Sequence, residues 1–251
     1  MGDNVKKRLD DLGINGLKMY QCPEYFCFGI DAVILSDFAK NIKDNTIVMD
    51  IGTGNGILPL LLSAKTNCSK IVGVEIQKEL YDLATENVEL NNLTKRIELL
   101  NCDINTIDEK YSKNSFDVII SNPPYKKYNS GIVNDNEFIK IAKHEIKCTL
   151  ENIFEKSKYL LNDNGQLYMV HRPDRLVDII SLARKYNLEP KDIRYVHSKI
   201  NESPILILIK CVKYGKPFLK THKPLIIYND DGNYTNEVYD IYGKDIKYEK
   251  G

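Results

Sequence analysis

An α/β architecture, with a doubly wound and mostly parallel sheet carrying an antiparallel edge hairpin, is the fold class this sequence predicts. Three observations lead there. Short apolar runs alternate with helix-like segments from Thr46 to Cys211, and parallel strands need such long crossovers. The first run, Thr46–Ile51, leads into a glycine-rich stretch, Asp50–Gly56. The last two runs, Arg194–Ser198 and Ile205–Val212, are separated only by Lys199–Pro204, a connection that suits an antiparallel pair.

The elements follow in order. Gly56–Ala64 reads as the first crossover helix and Lys70–Glu75 as the second strand. Lys78–Asn91 places Leu80, Leu83, Ala84 and Val88 on one helical face. Arg96–Leu100 and Phe116–Ser121 read as the third and fourth strands. Phe138–Leu161 reads as one long helix stopped by Asn162–Gly165, with a fifth strand at Gln166–Val170 and a helix at Leu176–Tyr186. The tail has one strand-like run, Leu225–Tyr228. The expected organisation is one domain over 1–251: an N-terminal segment 1–45, a core 46–212 and an ordered tail 213–251.

Composition excludes several classes. With 251 residues, 43% of them hydrophobic, the chain can bury an ample core. Lysine plus arginine equals aspartate plus glutamate, 35 each, so overall charge says nothing for a nucleic-acid partner and any such argument is local. The longest apolar run, Ile57–Ala64, is far short of the about 20 residues that span a bilayer. Met1–Lys7 leads into no signal-peptide core, so a cytoplasmic protein is expected. Six cysteines are scattered without a C-x-x-C pair, which favours free thiols and no metal.

The glycine stretch is informative in detail. It reads Asp50-Ile51-Gly52-Thr53-Gly54-Asn55-Gly56. A dinucleotide fingerprint needs glycine where Ile57 stands, and the phosphate loop's Gly-Lys-Ser/Thr is absent. Gly52, Gly54 and Gly56 let the backbone approach a ligand closely. Asp50 at the strand end would repel a pyrophosphate but suits an ammonium group. Glu75, ending the second strand, suits ribose hydroxyls. Asp103, with Ile104 beside it, follows the third strand and suits an adenine amine. Together these residues describe a site for S-adenosyl-L-methionine.

The fourth strand runs into Asn122-Pro123-Pro124-Tyr125. Proline fixes its own φ and pushes the preceding residue to extended geometry. A stiff loop of this kind aims the Asn122 amide oxygen and a main-chain carbonyl, that of Pro123, in one direction, and Tyr125 offers a stacking face. Two acceptors and a flat ring suit a planar amine whose lone pair must be pointed at a methyl donor. Positioning then contributes most of the acceleration and no strong base is needed.

These motifs resemble class I S-adenosylmethionine-dependent methyltransferases of the amino-methylating Asn-Pro-Pro-Tyr group, which implies a Rossmann-like fold. The segments RLDDLGINGLKMYQCPEYFCFGIDAVILSDFA (Arg8–Ala39), IAKHE (Ile141–Glu145), HRPDRL (His171–Leu176) and KPFLKTHKPLIIYNDDGNYTNEVYDIYG (Lys216–Gly243) are similar to the bacterial tRNA-1(Val) adenine-37 N6-methyltransferase family. The chain departs from that pattern at Ile30 and at Phe218, where a further small residue is usual. The resemblance implies S-adenosyl-L-methionine as cofactor, a tRNA substrate, and an anticodon-loop adenine flipped into the Asn-Pro-Pro-Tyr pocket. It also implies that the segment before the first strand closes over the cofactor, with Gln21, Phe26, Phe28 and Asp31 as lid candidates. His144 reads as a helix-face histidine bonded in the core.

Contacts to RNA are expected from lysines. No acid occurs from Ser203 to Asn229, where Lys216 and Lys220 are interleaved with Tyr214, Phe218 and Tyr228. Lys126 and Lys127 flank the pocket beside Pro124. Lysines neutralise phosphate and aromatic faces stack on unpaired bases. A monomer or weak homodimer is expected. Three alternatives stay open: methylation of a glutamine amide on a protein such as a release factor, methylation of DNA adenine, and a non-catalytic cofactor-binding module.

Overall fold

A computed structural model describes residues 6–23, 27–124 and 149–243. The chain opens with an antiparallel hairpin, β1 (Arg8–Asp11) and β2 (Lys18–Gln21), followed by α1 (Ile30–Phe38). Then come β3 (Ile47–Ile51), α2 (Ile57–Lys65), β4 (Lys70–Glu75), α3 (Lys78–Leu90) and β5 (Ile97–Asn101). A 3-10 turn, Ile104–Glu109, leads to β6 (Phe116–Ser121). After it are α4 (Leu150–Leu160), β7 (Leu161–His171), α5 (Leu176–Lys185), β8 (Leu188–His197) and β9 (Pro204–Lys213). The tail adds β10 (Lys220–Thr221), β11 (Leu225–Ile226) and α6 (Asn236–Tyr242).

The main sheet runs β10-β8-β9-β7-β6-β3-β4-β5, with β11 also paired to β8. Among the described strands of this sheet, only β9 runs against its neighbours. The other strands share one direction, so β3, β4 and β6 all end at one edge. In β4, Ile71, Val72 and Val74 are all buried, as expected of a parallel strand covered on both faces. One face is packed by α1, α2, α3, the hairpin and α6, through residues such as Leu12, Leu35, Leu61, Val88 and Ile241. The other is packed by the 3-10 turn, α4 and α5, through Ile107, Phe154, Met169 and Ile179. The fold is therefore the Rossmann-like, mostly parallel α/β sheet that the alternation of segments predicts.

Three expectations are corrected in detail. The long helix over Phe138–Leu161 does not pass through Thr149: that residue is extended and caps α4, its hydroxyl accepting the Asn152 N–H while the Asn152 side chain accepts the Thr149 N–H. Such a capping box starts a helix rather than continuing one; residues 138–148 and His144 lie outside the described residues. Asn162–Gly165 does not precede the fifth strand but lies inside it. β7 is pinned to β6 at Leu161↔Phe116, then resumes at Gln166↔Val118, and the excess residues form a bulge with Asn164 at φ 63. A Cβ at Gly165 would stand 2.8 Å from the Asn162 carbonyl oxygen, so the bulge accepts only glycine there. The β8 strand begins at Leu188 rather than Arg194, its polar, proline-containing first half being paired along β9 through a register shift at Pro190. The expected antiparallel hairpin is present as β8 and β9, and the two-residue strands β10 and β11 pair with β8 in parallel on its outer side.

Candidate functional site

The carboxyl ends of β3, β4, β5 and β6 carry the glycine stretch, Glu75, Asp103 and the Asn-Pro-Pro segment. Ser121, at the end of β6, is level with Ile51, at the end of β3. Its hydroxyl donates to the Ile51 carbonyl at 2.9 Å. The glycine stretch and the Asn-Pro-Pro loop thus leave the sheet side by side, one strand spacing apart, about 4.8 Å. This edge of an open α/β sheet is where ligands bind.

The glycine loop is built without slack. Gly52, Gly54 and Gly56 all have positive φ, at 75°, 58° and 86°, a region where glycine alone is unstrained. The Gly52 and Thr53 amides donate to the Val74 carbonyl at 2.9 and 3.0 Å, hooking the loop onto β4. A Cβ at Gly73 would stand 2.9 Å from the Thr53 hydroxyl and 2.7 Å from Leu99. Over Gly52, in contrast, a Cβ would meet nothing within 4 Å, so a ligand can approach that backbone.

The floor of the loop is polar and unsatisfied. Asp50 is fully buried. Both its carboxylate oxygens, the Thr53 hydroxyl and both amide atoms of Asn55 have no hydrogen-bond partner among the described residues. Burial pushes the Asp50 carboxyl up to about 7; the Thr53 hydroxyl, outside hydrogen-bond geometry, offsets this in part, and the charge of Glu75 adds to it. Buried polar groups are almost always paired in native proteins. Five such atoms in one six-residue stretch fit a polar, cationic group of a ligand.

Glu75 is buried at the end of β4, where one oxygen accepts the Gly54 N–H and the other the Gln77 N–H, both at 2.9 Å. Each carboxylate oxygen has a second lone pair to offer a hydroxyl. Asp103 follows β5 and caps the 3-10 turn, one oxygen accepting the Asn105 N–H at 2.9 Å. Ile104 beside it is buried in the apolar core of that face. Asn122 is half-buried, and its side chain makes no hydrogen bond with the described residues; Pro123 is buried and Pro124 exposed. Tyr125, Lys126 and Lys127 lie outside the described residues, as does Phe26.

The lid candidates are placed unevenly. Gln21 is buried and committed to its own segment: its oxygen accepts the Phe28 N–H at 3.1 Å, and its amide donates to Asp10. Asp31 lies in the first turn of α1, where it accepts the Ala32 N–H at 2.9 Å and complements the positive helix end. The RNA candidates stand apart from the strand ends. Lys220 lies in β10, four strands from β6 along the sheet, about 19 Å at usual strand spacing. Lys216 is exposed, its carbonyl accepting Lys191 Nζ at 2.9 Å. Phe218 is 89% exposed at φ 100, a backbone suited to a small residue.

Two residues escaped the sequence reading as site residues. His171 ends β7, beside β6, and is buried; its Nδ1 accepts the Arg172 N–H at 2.8 Å, which leaves the ring proton on Nε2. Burial, and then the charge of Arg175, push it down to about 4, so it is neutral. Asn87, on α3, is fully buried and bonded to the Asn55 carbonyl of the loop at 3.0 Å. An asparagine in phase with Leu80, Leu83, Ala84 and Val88 was the available signal.

Comparison with known proteins agrees with this geometry. The chain is 29% identical over 219 residues to a protein of Pedobacter heparinus named tRNA1(Val) (adenine(37)-N6)-methyltransferase, covering 86% of this chain and 88% of that one. It is 28% identical over 213 residues to a Haemophilus influenzae protein of the same name, covering 84% and 87%. Among solved structures, a predicted O-methyltransferase of Agrobacterium tumefaciens superposes with TM-score 0.67 at 20% identity, covering 84% of this chain and 95% of that one. The ribosomal protein L11 methylase of Lactobacillus delbrueckii superposes with TM-score 0.54 at 18% identity, covering 77% and 84%. A family model described as a methyltransferase domain matches residues 42–213, the stretch that carries the glycine loop, the strand-end acids and the Asn-Pro-Pro segment, and the chain belongs to that methyltransferase family.

Proposed function

We propose that this enzyme transfers a methyl group from S-adenosyl-L-methionine to the exocyclic N6 of an adenine in tRNA, adenine 37 of an anticodon loop. The observation that carries the reading is the alignment of Ser121 with Ile51, which sets Asn122 beside the glycine loop. The residues fit the cofactor: unpaired buried Asp50 for an ammonium, Glu75 for ribose hydroxyls, Asp103 for the adenine amine, and the open backbone at Gly52 for close approach. Gln21 and Asp31 belong to the segment that closes the site. When bound, S-adenosyl-L-methionine supplies an electrophilic methyl on a sulfonium.

The chain's own residues do the rest. The Asn122 side-chain oxygen and the Pro123 carbonyl accept the two N–H bonds of the target amine, which turns its lone pair toward the methyl donor. Tyr125 stacks on the base. Pro123 and Pro124 hold the acceptors rigid, so little reorganisation is required at the moment of transfer. As the C–N bond forms, the methyl–sulfur bond would break with its electron pair left on a neutral thioether; the amine then loses a proton, which water can take because the methylated product is a weak base. Lys126, Lys127, Lys216 and Lys220 neutralise phosphates of the RNA. A loop base is favoured because extruding it costs less than opening a duplex. The names of the Pedobacter and Haemophilus relatives support tRNA and position 37.

The test is methyl transfer from labelled S-adenosyl-L-methionine to bulk tRNA lacking this modification, followed by nucleoside analysis and mapping. N6-methyladenosine at position 37 is the expected product. Label on release factor with tRNA unmodified would move the assignment to a glutamine amide; cofactor binding without transfer would reject an enzyme of this kind.

A further inference from the structure

The N-terminal hairpin is fastened to α3 by two asparagines one helical turn apart. Asn91 accepts the Lys18 N–H at 2.9 Å and donates to the Lys18 carbonyl at 2.7 Å. Asn87 accepts the Tyr20 N–H at 2.7 Å and donates to the Tyr20 carbonyl at 3.0 Å. Each side-chain amide thereby acts as a strand partner for β2, a role for which its donor and acceptor are suitably spaced. The two differ in one respect. Asn87 Nδ2 also donates to the Asn55 carbonyl at 3.0 Å, inside the glycine loop, whereas the second bond of Asn91 Nδ2 goes to Asn87 O, within the helix.

Nothing else is bonded to that carbonyl within the loop, and Asn55 and Asn87 are both fully buried. Close by, Gly56 packs on α3 so tightly that a Cβ would stand 3.2 Å from Ala84 Cβ. The loop therefore rests on α3 at two successive residues, one contact apolar and one polar. β2 ends at Gln21, whose side-chain oxygen accepts the Phe28 N–H.

We propose that Asn87 is a positioning residue that couples the N-terminal hairpin to the cofactor loop, so that the seating of β2 and the shape of the Gly52–Gly56 loop change together. This rests on the cofactor reading of the glycine loop given above. A cofactor that settles the loop then also settles β2 at Tyr20, and release of Tyr20 from Asn87 loosens the loop, whereas release of Lys18 from Asn91 does not. Asn91 provides a matched control, because it holds the same hairpin without touching the loop.

The test uses the full chain with S-adenosyl-L-methionine as probe, read by calorimetry and by amide hydrogen exchange. Asn87→Ala is expected to weaken cofactor binding about tenfold, the equivalent of one lost buried hydrogen bond. Asn91→Ala is expected to leave affinity within about twofold, a change too small for a lost bond to the loop. Exchange in the free protein should quicken at Gly52–Gly56 in Asn87→Ala alone. Equal loss of affinity in both variants, or an unchanged loop in Asn87→Ala, would overturn the coupling. Should Asn87→Ala not fold, the wild-type protein decides: added cofactor should slow exchange at the Tyr20 amide more than at the Lys18 amide, and equal protection rejects the proposal. Absence of cofactor binding by the wild-type protein would instead defeat the cofactor reading itself.

Discussion

The two ends of α2 treat buried polar groups in opposite ways. At its start, Asp50, Thr53 and Asn55 bury five polar side-chain atoms with no partner among the described residues. At its finish, Arg96 reaches back from the start of β5 and closes three carbonyls: Ser63 at 2.7 Å, Thr66 at 2.6 Å and Cys68 at 3.0 Å. The far end of the helix is saturated by the chain itself. The end at the strand termini keeps its donors and acceptors free, at a cost in stability that a bound ligand can repay. The contrast separates residues kept for the fold from residues kept for chemistry.

The largest effect should come one strand away from the open end. Asn122→Ala is expected to lower turnover about a thousandfold, in line with loss of an oriented acceptor in a transition state, while cofactor affinity measured by calorimetry stays nearly intact. Equal loss of both would merge the Asn-Pro-Pro loop with the cofactor floor and blur the distinction. Next is Asp50→Asn. The folded protein holds the Asp50 proton up to about pH 7, against 3.8 for an ordinary carboxyl, so the folded state binds more protons than the unfolded one across that window. Stability from this group is thus greatest at low pH and falls as pH rises toward 7. His171, with its value pushed down to about 4, acts in the opposite sense and flattens the wild-type profile. The difference between wild type and Asp50→Asn isolates the carboxyl. The variant should be more stable above pH 7 by on the order of 4 kcal/mol, with the advantage vanishing near pH 4, and it should bind cofactor about tenfold more weakly for want of the charge.

Arg96→Ala tests the saturated end. It should cost about 2 kcal/mol in denaturant titrations, as three part-buried carbonyls lose a charged donor, yet leave cofactor affinity unchanged in the folded protein. A loss of affinity would show that the two ends communicate along α2. The smallest effect is expected at the exposed lysines. Lys216→Glu combined with Lys220→Glu should weaken tRNA binding by about 1 kcal/mol and flatten its salt dependence. Unchanged affinity would remove the tail from the RNA surface.

The parallel core was legible from the sequence because its signals are local. β4 and β6 lie where their apolar runs place them, at Lys70–Glu75 and Phe116–Ser121, and α3 follows its 3.6-residue stripe. The glycine loop and its acids were legible for the same reason. What was missed depends on distant partners. The hairpin strands RLDD and KMYQ are too short and polar to announce themselves, and they are held by side chains of α3 about 70 residues away in sequence, a separation of 67 for Tyr20 and Asn87. The first half of β8 carries Pro190 and charged neighbours that read as loop, but β9 supplies the ladder. Asn162–Gly165 has turn chemistry, which the strand uses for a bulge. Asn87 was hidden because an asparagine in a helix says nothing of the backbone groups it will meet.

The packing of α6 against the N-terminal region bears on how the protein is made. Lys65 Nζ donates to the Ile241 carbonyl at 3.0 Å, Leu12 and Ile241 share one core, and a Cβ at Gly243 would stand 2.9 Å from the Gly13 carbonyl oxygen. Leu12 and Gly13 are therefore seated by residues synthesised far later. At about 5–20 residues per second, roughly 10 to 50 seconds pass on the ribosome between Gly13 and Gly243. Through that interval β3, β4 and β5 can assemble with α2 and α3, while the hairpin lacks its final neighbour. The turn of the N-terminal hairpin thus acquires its final neighbour only as α6 docks.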